Sequence, residues 1–255
     1  MSTYLFGQLS DPNVKTLHPL FDKFIDQDAN IEWNITEDVL YIEGKPVTDL
    51  TAIYMRNNVF EESTFKKYTN FHILSNYIQC HNVTTYNKDY RYQEVRKLNN
   101  LIIAKQLDLR IPYTEVTQKS NKQNRIIKPV TGGQHTLEGN EAVYPCIIQQ
   151  KITGKNKRLY VVNDKHFAFE VVTDKLDYRD DPESKVVVTE IDDVTVEKVK
   201  HLMQRLNLNF GASDFMEDEE GLWYLETNTG PMFVAFDLEV QGKLAKAIRY
   251  ELNNI

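Results

Sequence analysis

The sequence predicts an α/β protein in which a small α/β region precedes a larger, strand-rich one. Strand-like and helix-like patterns alternate over about the first ninety residues. The pattern then restarts with a helix, six β-branched or aromatic segments, a second helix and a hairpin. At 255 residues and 41% hydrophobic content, the chain can fill such a core. We therefore divide it into domains 1–92 and 93–255.

The first region is predicted to contain short strands and two helices. The segment TLHPLFDKFIDQ has apolar residues three or four positions apart, which is typical of an amphipathic helix. These residues are Leu17, Leu20, Phe21, Phe24 and Ile25. A second helix is predicted over ESTFKKYTNFHILSNYIQC, with residues 62–64 as its cap region. Strands or hairpins are predicted in TYLFGQLSD, IEWNITEDVLYIEGKPV, TAIYMRNN and VTTYN.

The second region opens with a predicted helix over RYQEVRKLNNLIIAKQLDLRIP, which stops before Pro112 because proline cannot continue it. Its apolar face consists of Val95, Leu98, Leu101, Ile102 and Leu109. Strands are predicted in YTEVTQ, RIIKPV, YPCIIQQKI, RLYVVND, HFAFEVV and SKVVVTEI.

The end of the chain is predicted to form a helix, a hairpin and a closing helix. TVEKVKHLMQRLNL is a helix whose apolar stripe consists of Val196, Val199, Leu202, Met203 and Leu206. FGASDFME and LWYLETN are strands joined by the acidic turn DEEG, and VQGKLAKAIRYEL is a helix.

Composition disfavours several classes of partner. The net charge is −7, and no basic block exceeds short pairs such as Lys66–Lys67, which disfavours nucleic acid. The N-terminus lacks the features of a secretory signal, and no stretch approaches the ~20 apolar residues of a membrane span. We expect Cys80 and Cys146 to be buried free thiols in a reducing cytoplasm.

The hairpin near the C-terminus carries the strongest chemical signal. Strand alternation places Tyr224, Glu226 and Asn228 on one face. A carboxylate and an amide on a half-buried strand are costly unless a partner satisfies them. If Asp214 on the adjoining strand faces the same side, the oxygen donors form a set suited to Mg²⁺. The alternative is an exposed hairpin whose acidic side chains face water.

Two further segments have features of a nucleotide site. In RIIKPVTGGQHT, Lys128 precedes the Gly132–Gly133 turn, whose backbone N–H groups could approach phosphate oxygens. In CIIQQKITG, the buried strand opens onto Gln149, Gln150 and Lys151, where backbone groups could meet the edge of an adenine ring. Taken singly, each is equally consistent with a simple turn or an edge strand, and GxxxxGK[ST] and GxGxxG are both absent.

Two arginines, Arg158 and Arg179, are planar charged forks that suit carboxylate or phosphate. Lone arginines are usually solvated, so neither is specific alone. The order along the chain is more informative: Lys97 on a helix, Lys128, the glycine turn, the adenine-type strand, the arginines and the acidic hairpin.

In this order the sequence resembles the ATP-grasp superfamily of carboxylate–amine ligases, from about Val95 to the C-terminus. Within that superfamily it is most similar to ribosomal-protein glutamate ligases and to graspetide (microviridin-type) peptide macrocyclases. The motifs that carry the resemblance are KLNNLIIAKQLDLRIPYTEVT, IIKP, IIQQKITG, NKRLYVVNDKHFAFEV, DYR and FGASDFMEDEEGLWYLETNTGP. The last of them ends in LETN, which is the most specific match. The first ninety residues loosely resemble the α/β domain that precedes ATP-grasp in the macrocyclases.

The resemblance implies an ATP-grasp fold with a small nucleotide-covering subdomain at about 113–152 and a magnesium and substrate subdomain at 153–255. It implies ATP and Mg²⁺ as cofactors and assigns roles to particular residues. Lys97, Lys128, Gly132 and Gly133 would contact phosphates; Gln149, Gln150, Lys151 and Ile152 would lie at the adenine; Asp214, Glu226 and Asn228 would bind magnesium; and Arg158, Arg179 and Lys128 would be catalytic.

Three residues depart from the family pattern: Gln150 replaces a common glutamate, Asn156 an aspartate and Asn163 a glycine. The implied function is an ATP-dependent ligase, favoured as a macrocyclase of a ribosomal precursor peptide in the cytoplasm. A carboxylate-bearing peptide would be the partner, without membrane or nucleic acid, and a homodimer is left open. The alternatives are a small-molecule or protein-tail amino-acid ligase and a non-catalytic ATP-binding module.

Overall fold

The structure, a computed structural model, describes residues 2–56, 65–88, 97–130 and 136–255. The chain packs into two compact units. Met1–Asp89 joins Met232–Ile255 in the first unit, and Tyr90–Pro231 forms the second. The predicted division at residues 92 and 93 assigned the last residues to the second domain, whereas in the structure residues 232–255 pack with the N-terminal ones. The division of the chain into functional domains at residues 92 and 93 stays a prediction.

The first unit is built around a parallel sheet. The central strand β1 (Ser2–Gly7) pairs with β2 (Lys23–Asp26) on one side and with β6 (Leu50–Met55) on the other. Strands buried on both faces read as continuous apolar runs, which explains the sequence of β1. Helix α2 (Phe65–Cys80) is confirmed, while its predicted cap region 62–64 lies outside the described residues.

The predicted helix over TLHPLFDKFIDQ is wrong. Helix α1 (Pro12–Leu17) begins earlier than predicted, and the Asp11 carboxylate caps it by accepting a hydrogen bond from the backbone N–H of Asn13. A 3-10 turn (His18–Leu20) follows directly after it. Pro19 lies inside the predicted helix and has no amide to donate. Phe24 and Ile25 belong instead to β2, where parallel pairing with β1 outweighs their helical spacing. The predicted strand VTTYN is also wrong, because it forms only a bridge between Ala52 and Thr84.

A hairpin of β3 (Ile31–Asn34) and β4 (Val39–Ile42) follows, and β4 also pairs with β5 (Lys45–Pro46). The turn between β3 and β4 contacts the end of α2 through His81. The imidazole Nε2 lies 2.9 Å from both carboxylate oxygens of Asp38, and Nδ1 lies 2.9 Å from the carbonyl oxygen of Tyr77. Because both ring nitrogens face acceptors, the geometry suits the doubly protonated ring.

Stability should depend on the charge of His81. The Asp38 carboxylate, followed by the Tyr77 carbonyl, raises the pKa of His81 above its ordinary value of 6.5. A raised pKa contributes stability that is fully present below pH 6.5 and is lost as the pH rises through the folded pKa. We expect the free energy of unfolding, measured with urea, to fall over this range in the wild type and not in His81→Gln. The control is His201→Gln, at an exposed position.

The second unit begins with α3 (Lys97–Gln106) and a small antiparallel sheet. In this sheet β10 (Glu141–Gln150) pairs with β7 (Thr114–Lys119) and with β8 (Arg125–Lys128). Strand β8 pairs in turn with β9 (Leu137–Glu138). The start of the predicted first helix, residues 91–96, lies outside the described part of the chain.

A larger antiparallel sheet completes the second unit in the order β13-β12-β11-β14-β15. Its strands are β11 (Lys155–Val162), β12 (Lys165–Val172), β13 (Lys185–Val188), β14 (Phe210–Asp218) and β15 (Gly221–Asn228). Helices α3 and α4 (Asp193–Arg205) contribute to a core on one face, in which the predicted stripe of α4 is buried.

Near the end of the chain, α6 (Lys243–Glu251) covers most of the segment predicted as the closing helix, and α5 (Val234–Glu239) precedes that segment. Gly242 precedes α6 with a φ of 78°, which favours glycine and separates the two helices. Both cysteines are free thiols, but Cys80 is exposed, so its predicted burial is wrong, whereas Cys146 is buried. Within the described ranges, no helix is long and apolar enough to cross a membrane.

Candidate active site

The acidic hairpin brings the three predicted oxygen donors together. Asp214 on β14 lies directly opposite Glu226 on β15. The Asn228 side-chain amide donates to Asp214 Oδ2 at 2.9 Å and, at 3.4 Å, to Glu226 Oε1. The predicted juxtaposition is therefore present in the fold.

One detail of the predicted alternation is wrong. The β14–β15 register shifts after Asp214, so that Phe215 pairs with Tyr224 and Leu225 is the extra residue of a bulge. Tyr224 therefore packs in the core with Phe215, with ring centroids 5.6 Å apart, and does not share a face with Glu226. A bulge shifts the face of every residue on one side of it, which strict alternation cannot anticipate.

Arg158 lies beside the acidic hairpin on the neighbouring strand β11. Its register partner is Asp214, and Nη1 donates to Asp214 Oδ1 at 2.8 Å. Nε donates to the hydroxyl of Tyr160 at 3.0 Å, and Nη1 also donates to the hydroxyl of Tyr178 at 2.9 Å. The guanidinium is buried and held in one orientation by these contacts.

Two lysines approach the same carboxylates. Lys97, in the first turn of α3, has its Nζ 3.7 Å from Glu226 Oε2. Lys128, at the end of β8, donates to Gln149 Oε1 at 3.1 Å. The Gln149 amide in turn donates to the hydroxyl of Thr114 at 3.0 Å. Both lysines and Gln149 are buried, so the structure gathers these predicted phosphate and adenine residues around the acidic pair.

The pKa shifts reflect this burial and mixture of charge. Burial raises the pKa of Asp214 to about 6, although Arg158 acts in the opposite direction. For Glu226, burial is outweighed by Lys128 and Lys97, which hold the pKa below its usual value. Burial lowers the pKa of Lys128, an effect that the Glu226 charge opposes. These charged groups are thus close enough to shift one another's pKa.

The remaining predicted adenine residues lie along the end of β10. The backbone N–H of Gln150 donates to the Tyr113 carbonyl at 2.8 Å, and that of Lys151 donates to the Asn124 carbonyl at 2.9 Å. These two N–H groups are engaged inside the fold, so an adenine ring would have to meet other groups of the segment. The Lys151 side chain is ion-paired with Glu138, and Ile152 is partly buried.

Arg179 lies in a 3-10 turn (Tyr178–Asp180) capped by Asp177. Its Nε donates to Asp177 Oδ1 at 2.8 Å, and a second contact joins Nη2 to the other carboxylate oxygen. The side-chain hydrogen bond with Asp177 raises the pKa of Arg179, and Glu226 also contributes. The predicted residues Gly132 and Gly133 lie outside the described residues.

Sequence reasoning missed several residues that support the site. Tyr160 could have been found, because it lies two positions after Arg158 on one strand and so shares its face. Asp177 and Tyr178 precede Arg179, but their contacts depend on a turn that the sequence does not specify. Asn100 lies one helical turn after Lys97, which places both on one side of α3.

The donor set fits a magnesium ion. Within the described ranges, no three His, Cys, Asp or Glu side chains are grouped to hold a metal. The third donor here is instead the amide of Asn228, whose nitrogen faces both carboxylates. Turning this amide by half a rotation would present its oxygen and complete an all-oxygen set, which is the kind that Mg²⁺ prefers.

Gly154, in the link from β10 to β11, has a close neighbour. A Cβ at this position would overlap the backbone carbonyl of Glu217 on β14. We therefore expect Gly154→Ala to push the start of β11 away from β14 and to lower the free energy of unfolding by about 1–3 kcal/mol in urea titrations. Lys155→Ala, at the exposed next position, is the control; equal stability of the two variants would contradict the packing argument.

Comparison with known proteins identifies the fold. No protein-family model matches the chain, and no curated protein matches it. Solved structures match over nearly the whole length. The ATP-grasp ligase PsnB, complexed with a phosphomimetic variant of minimal precursor, Mg and ADP, has a TM-score of 0.80 at 18% identity, with 99% of each chain covered.

Two further structures agree. A RiPP-associated ATP-grasp ligase from Chryseobacterium gregarium, in complex with ADP and a leader and core peptide, has a TM-score of 0.76 at 18% identity, covering 100% of this chain and 97% of that one. Macrocyclase MdnC from Microcystis aeruginosa MRC, bound with precursor peptide MdnA, has a TM-score of 0.72 at 16% identity, covering 99% and 100%. The chain has the fold of these ligases, as the sequence predicted.

Proposed function

We propose that this chain is an ATP-dependent ligase that activates a carboxylate as an acyl phosphate and joins it to an amine or a hydroxyl. One observation carries the proposal: two strands, β14 and β15, bring Asp214, Glu226 and Asn228 together with Arg158 of β11, Lys97 of α3 and Lys128 of β8. Buried cations outnumber carboxylates in this group, which favours an anionic ligand such as a triphosphate with its metal.

In the first half-reaction, a substrate carboxylate oxygen bonds to the γ-phosphorus of ATP as the bond to the leaving ADP oxygen breaks. Lys97 and Lys128 are assigned to the phosphate oxygens. Both ammonium groups are buried, so their charges act at short range with little screening. Arg158 is assigned to the transferred phosphoryl group, for which its guanidinium is already oriented by Tyr160 and Tyr178.

Asp214, Glu226 and Asn228 would hold magnesium. When bound, the ion would neutralise phosphate charge and orient the triphosphate. Lys128 and Lys97 lower the pKa of Glu226, which favours the ionised carboxylate that a metal ligand requires. The Asn228 amide donates to both carboxylates, and a half rotation about its terminal side-chain bond would present its oxygen to the ion instead.

In the second half-reaction, the amine or hydroxyl attacks the acyl carbon, phosphate leaves with its bonding electrons and the nucleophile loses a proton. Arg179 is assigned to the acceptor or to phosphate, because Asp177 holds its guanidinium in place. Gly132 and Gly133, for which the sequence predicts a turn, are assigned to the phosphates, where they would exclude water from the acyl phosphate. Gln149 to Ile152 are assigned to the adenine side.

The favoured substrate is a ribosomal precursor peptide in the cytoplasm, whose side chains become crosslinked. Two features support it. The Tyr178 hydroxyl of the DYR motif (177–179) accepts a hydrogen bond from Arg158, and structures with this fold have been solved with a minimal precursor variant, a precursor peptide, and a leader and core peptide. A ligase of the glutamate-ligase type, acting on a small molecule or a protein tail, is the second candidate. A non-catalytic ATP-binding module is the third.

The test is ADP formation that depends on an acceptor peptide. The chain is incubated with ATP, Mg²⁺ and short acidic peptides encoded beside its gene, and both ADP and peptide mass are followed. We expect one ADP per bond formed and loss of one water from the peptide for each. ATP binding without ADP under any acceptor would favour the binding module, and ADP formation with free amino acids alone would favour the second candidate.

A further inference from the structure

Behind the acidic pair lies a chain of three buried hydroxyls. Thr227 sits between Glu226 and Asn228 and points to the opposite face of β15. Its Oγ1 lies 2.7 Å from the hydroxyl of Ser213, its partner on β14, and 2.8 Å from that of Tyr224. All three side chains are fully buried, so solvent cannot replace these hydrogen bonds.

The hydroxyl chain spans the bulge. Ser213 pairs with Thr227 on one side of Leu225, and Tyr224 pairs with Phe215 on the other. The Thr227 hydroxyl therefore joins the strand segments before and after the extra residue. A bulge leaves a residue unpaired in the ladder, so side-chain contacts must fix the course of the strand there.

Helix α3 also contacts β15 at Thr227 and Glu226. The buried amide of Asn100 donates to the backbone carbonyl of Thr227 at 3.1 Å. One turn earlier, Lys97 reaches the carboxylate of Glu226. The Thr227 carbonyl and hydroxyl thus hold the backbone between Glu226 and Asn228 through contacts that do not involve those two side chains.

We propose that Thr227, with Ser213, Tyr224 and Asn100, positions β15 so that the oxygens of Glu226 and Asn228 converge with Asp214 on a divalent cation. This inference rests on the proposed function and makes Thr227 a positioning residue, because it faces away from the site. Thr227→Val keeps the shape of the side chain but leaves two buried hydroxyls without their shared partner. Thr227→Ser keeps the hydroxyl.

Binding of Mn²⁺, a spin probe for Mg²⁺, can be followed by electron paramagnetic resonance in the presence of ADP, without turnover. We expect Thr227→Val to weaken Mn²⁺ binding about tenfold and Thr227→Ser to restore it to within about twofold of wild type. The control is Thr3→Val in the first unit, where Thr3 is buried and its hydroxyl donates to Asp22 at 2.7 Å. It should lower stability while leaving Mn²⁺ binding unchanged.

Several results would overturn the proposal. If Thr227→Val binds Mn²⁺ as tightly as wild type, or if Thr3→Val weakens binding equally, Thr227 has no positioning role. If Thr227→Val does not fold, Ser213→Ala, which leaves the Tyr224 contact intact, must weaken binding by several-fold for the proposal to stand. If the wild type itself binds no Mn²⁺ with ADP, both this inference and the metal assignment of the proposed function are wrong.

Discussion

Glu226→Gln and Asp214→Asn are expected to reduce ADP formation by at least about a thousandfold, since each replaces a charged side chain that the proposed function assigns to the divalent ion by a neutral amide. Glu226→Gln should disturb the fold less, because the ion pair it removes, with Lys97, has a long N–O distance of 3.7 Å. Asp214→Asn also removes the anion beside the buried Arg158, so its melting temperature should fall. ADP release and thermal unfolding are measured together.

The control for this pair is Glu220→Gln at the exposed turn of the same hairpin, where Glu220 contacts Arg110. It should retain wild-type ADP release, because its carboxylate lies outside the acidic group. Near-normal ADP release from Glu226→Gln and Asp214→Asn would contradict the metal assignment.

Arg158→Lys is expected to lower kcat by about a hundredfold with a smaller change in KM for ATP, because lysine keeps the charge and loses the planar fork. The guanidinium contacts Asp214, Tyr160 and Tyr178 together, and an ammonium on a different stem cannot reproduce that geometry. Steady-state ADP release at varied ATP separates the two parameters.

Arg158→Gln should be less stable as well as inactive, since Asp214 is left without its cation. The loss should be larger at about pH 8 than at about pH 5, because the pKa of Asp214 is already raised by burial and the carboxyl can take up a proton at the lower pH. Arg110→Lys, at a partly exposed arginine over the Trp223 ring, is the control for both readouts. Full activity of Arg158→Lys would show that the fork is not required.

Most of the second unit could be predicted because its strands and helices obey local rules. The stripe of α4 and the two hairpin strands follow from periodicity and a tight acidic turn. The pairing of Asp214 with Glu226 also requires the bulge at Leu225, because an uninterrupted register would place Leu225 opposite Asp214. The predicted lysines and Arg158 also come together around this hairpin, although their roles stay predictions.

Other features depend on tertiary context. The segment after Pro19 has helical spacing, yet it pairs with β1 because a parallel partner is available in the fold. The bulge at Leu225 and the resulting inward position of Tyr224 require the register between two strands, which one strand alone does not specify. The engaged N–H groups of Gln150 and Lys151 likewise depend on loops distant in the sequence.

The central claim is that Asp214, Glu226 and Asn228 hold a divalent cation against the triphosphate of ATP. A crystal structure of the chain with Mg²⁺ and a non-hydrolysable ATP analogue tests it most directly. We expect an ion within about 2.1 Å of oxygens from all three side chains, with the Asn228 amide turned so that its oxygen faces the ion. An ion bound elsewhere, or three side chains that remain scattered or turned toward bulk solvent, would contradict the claim.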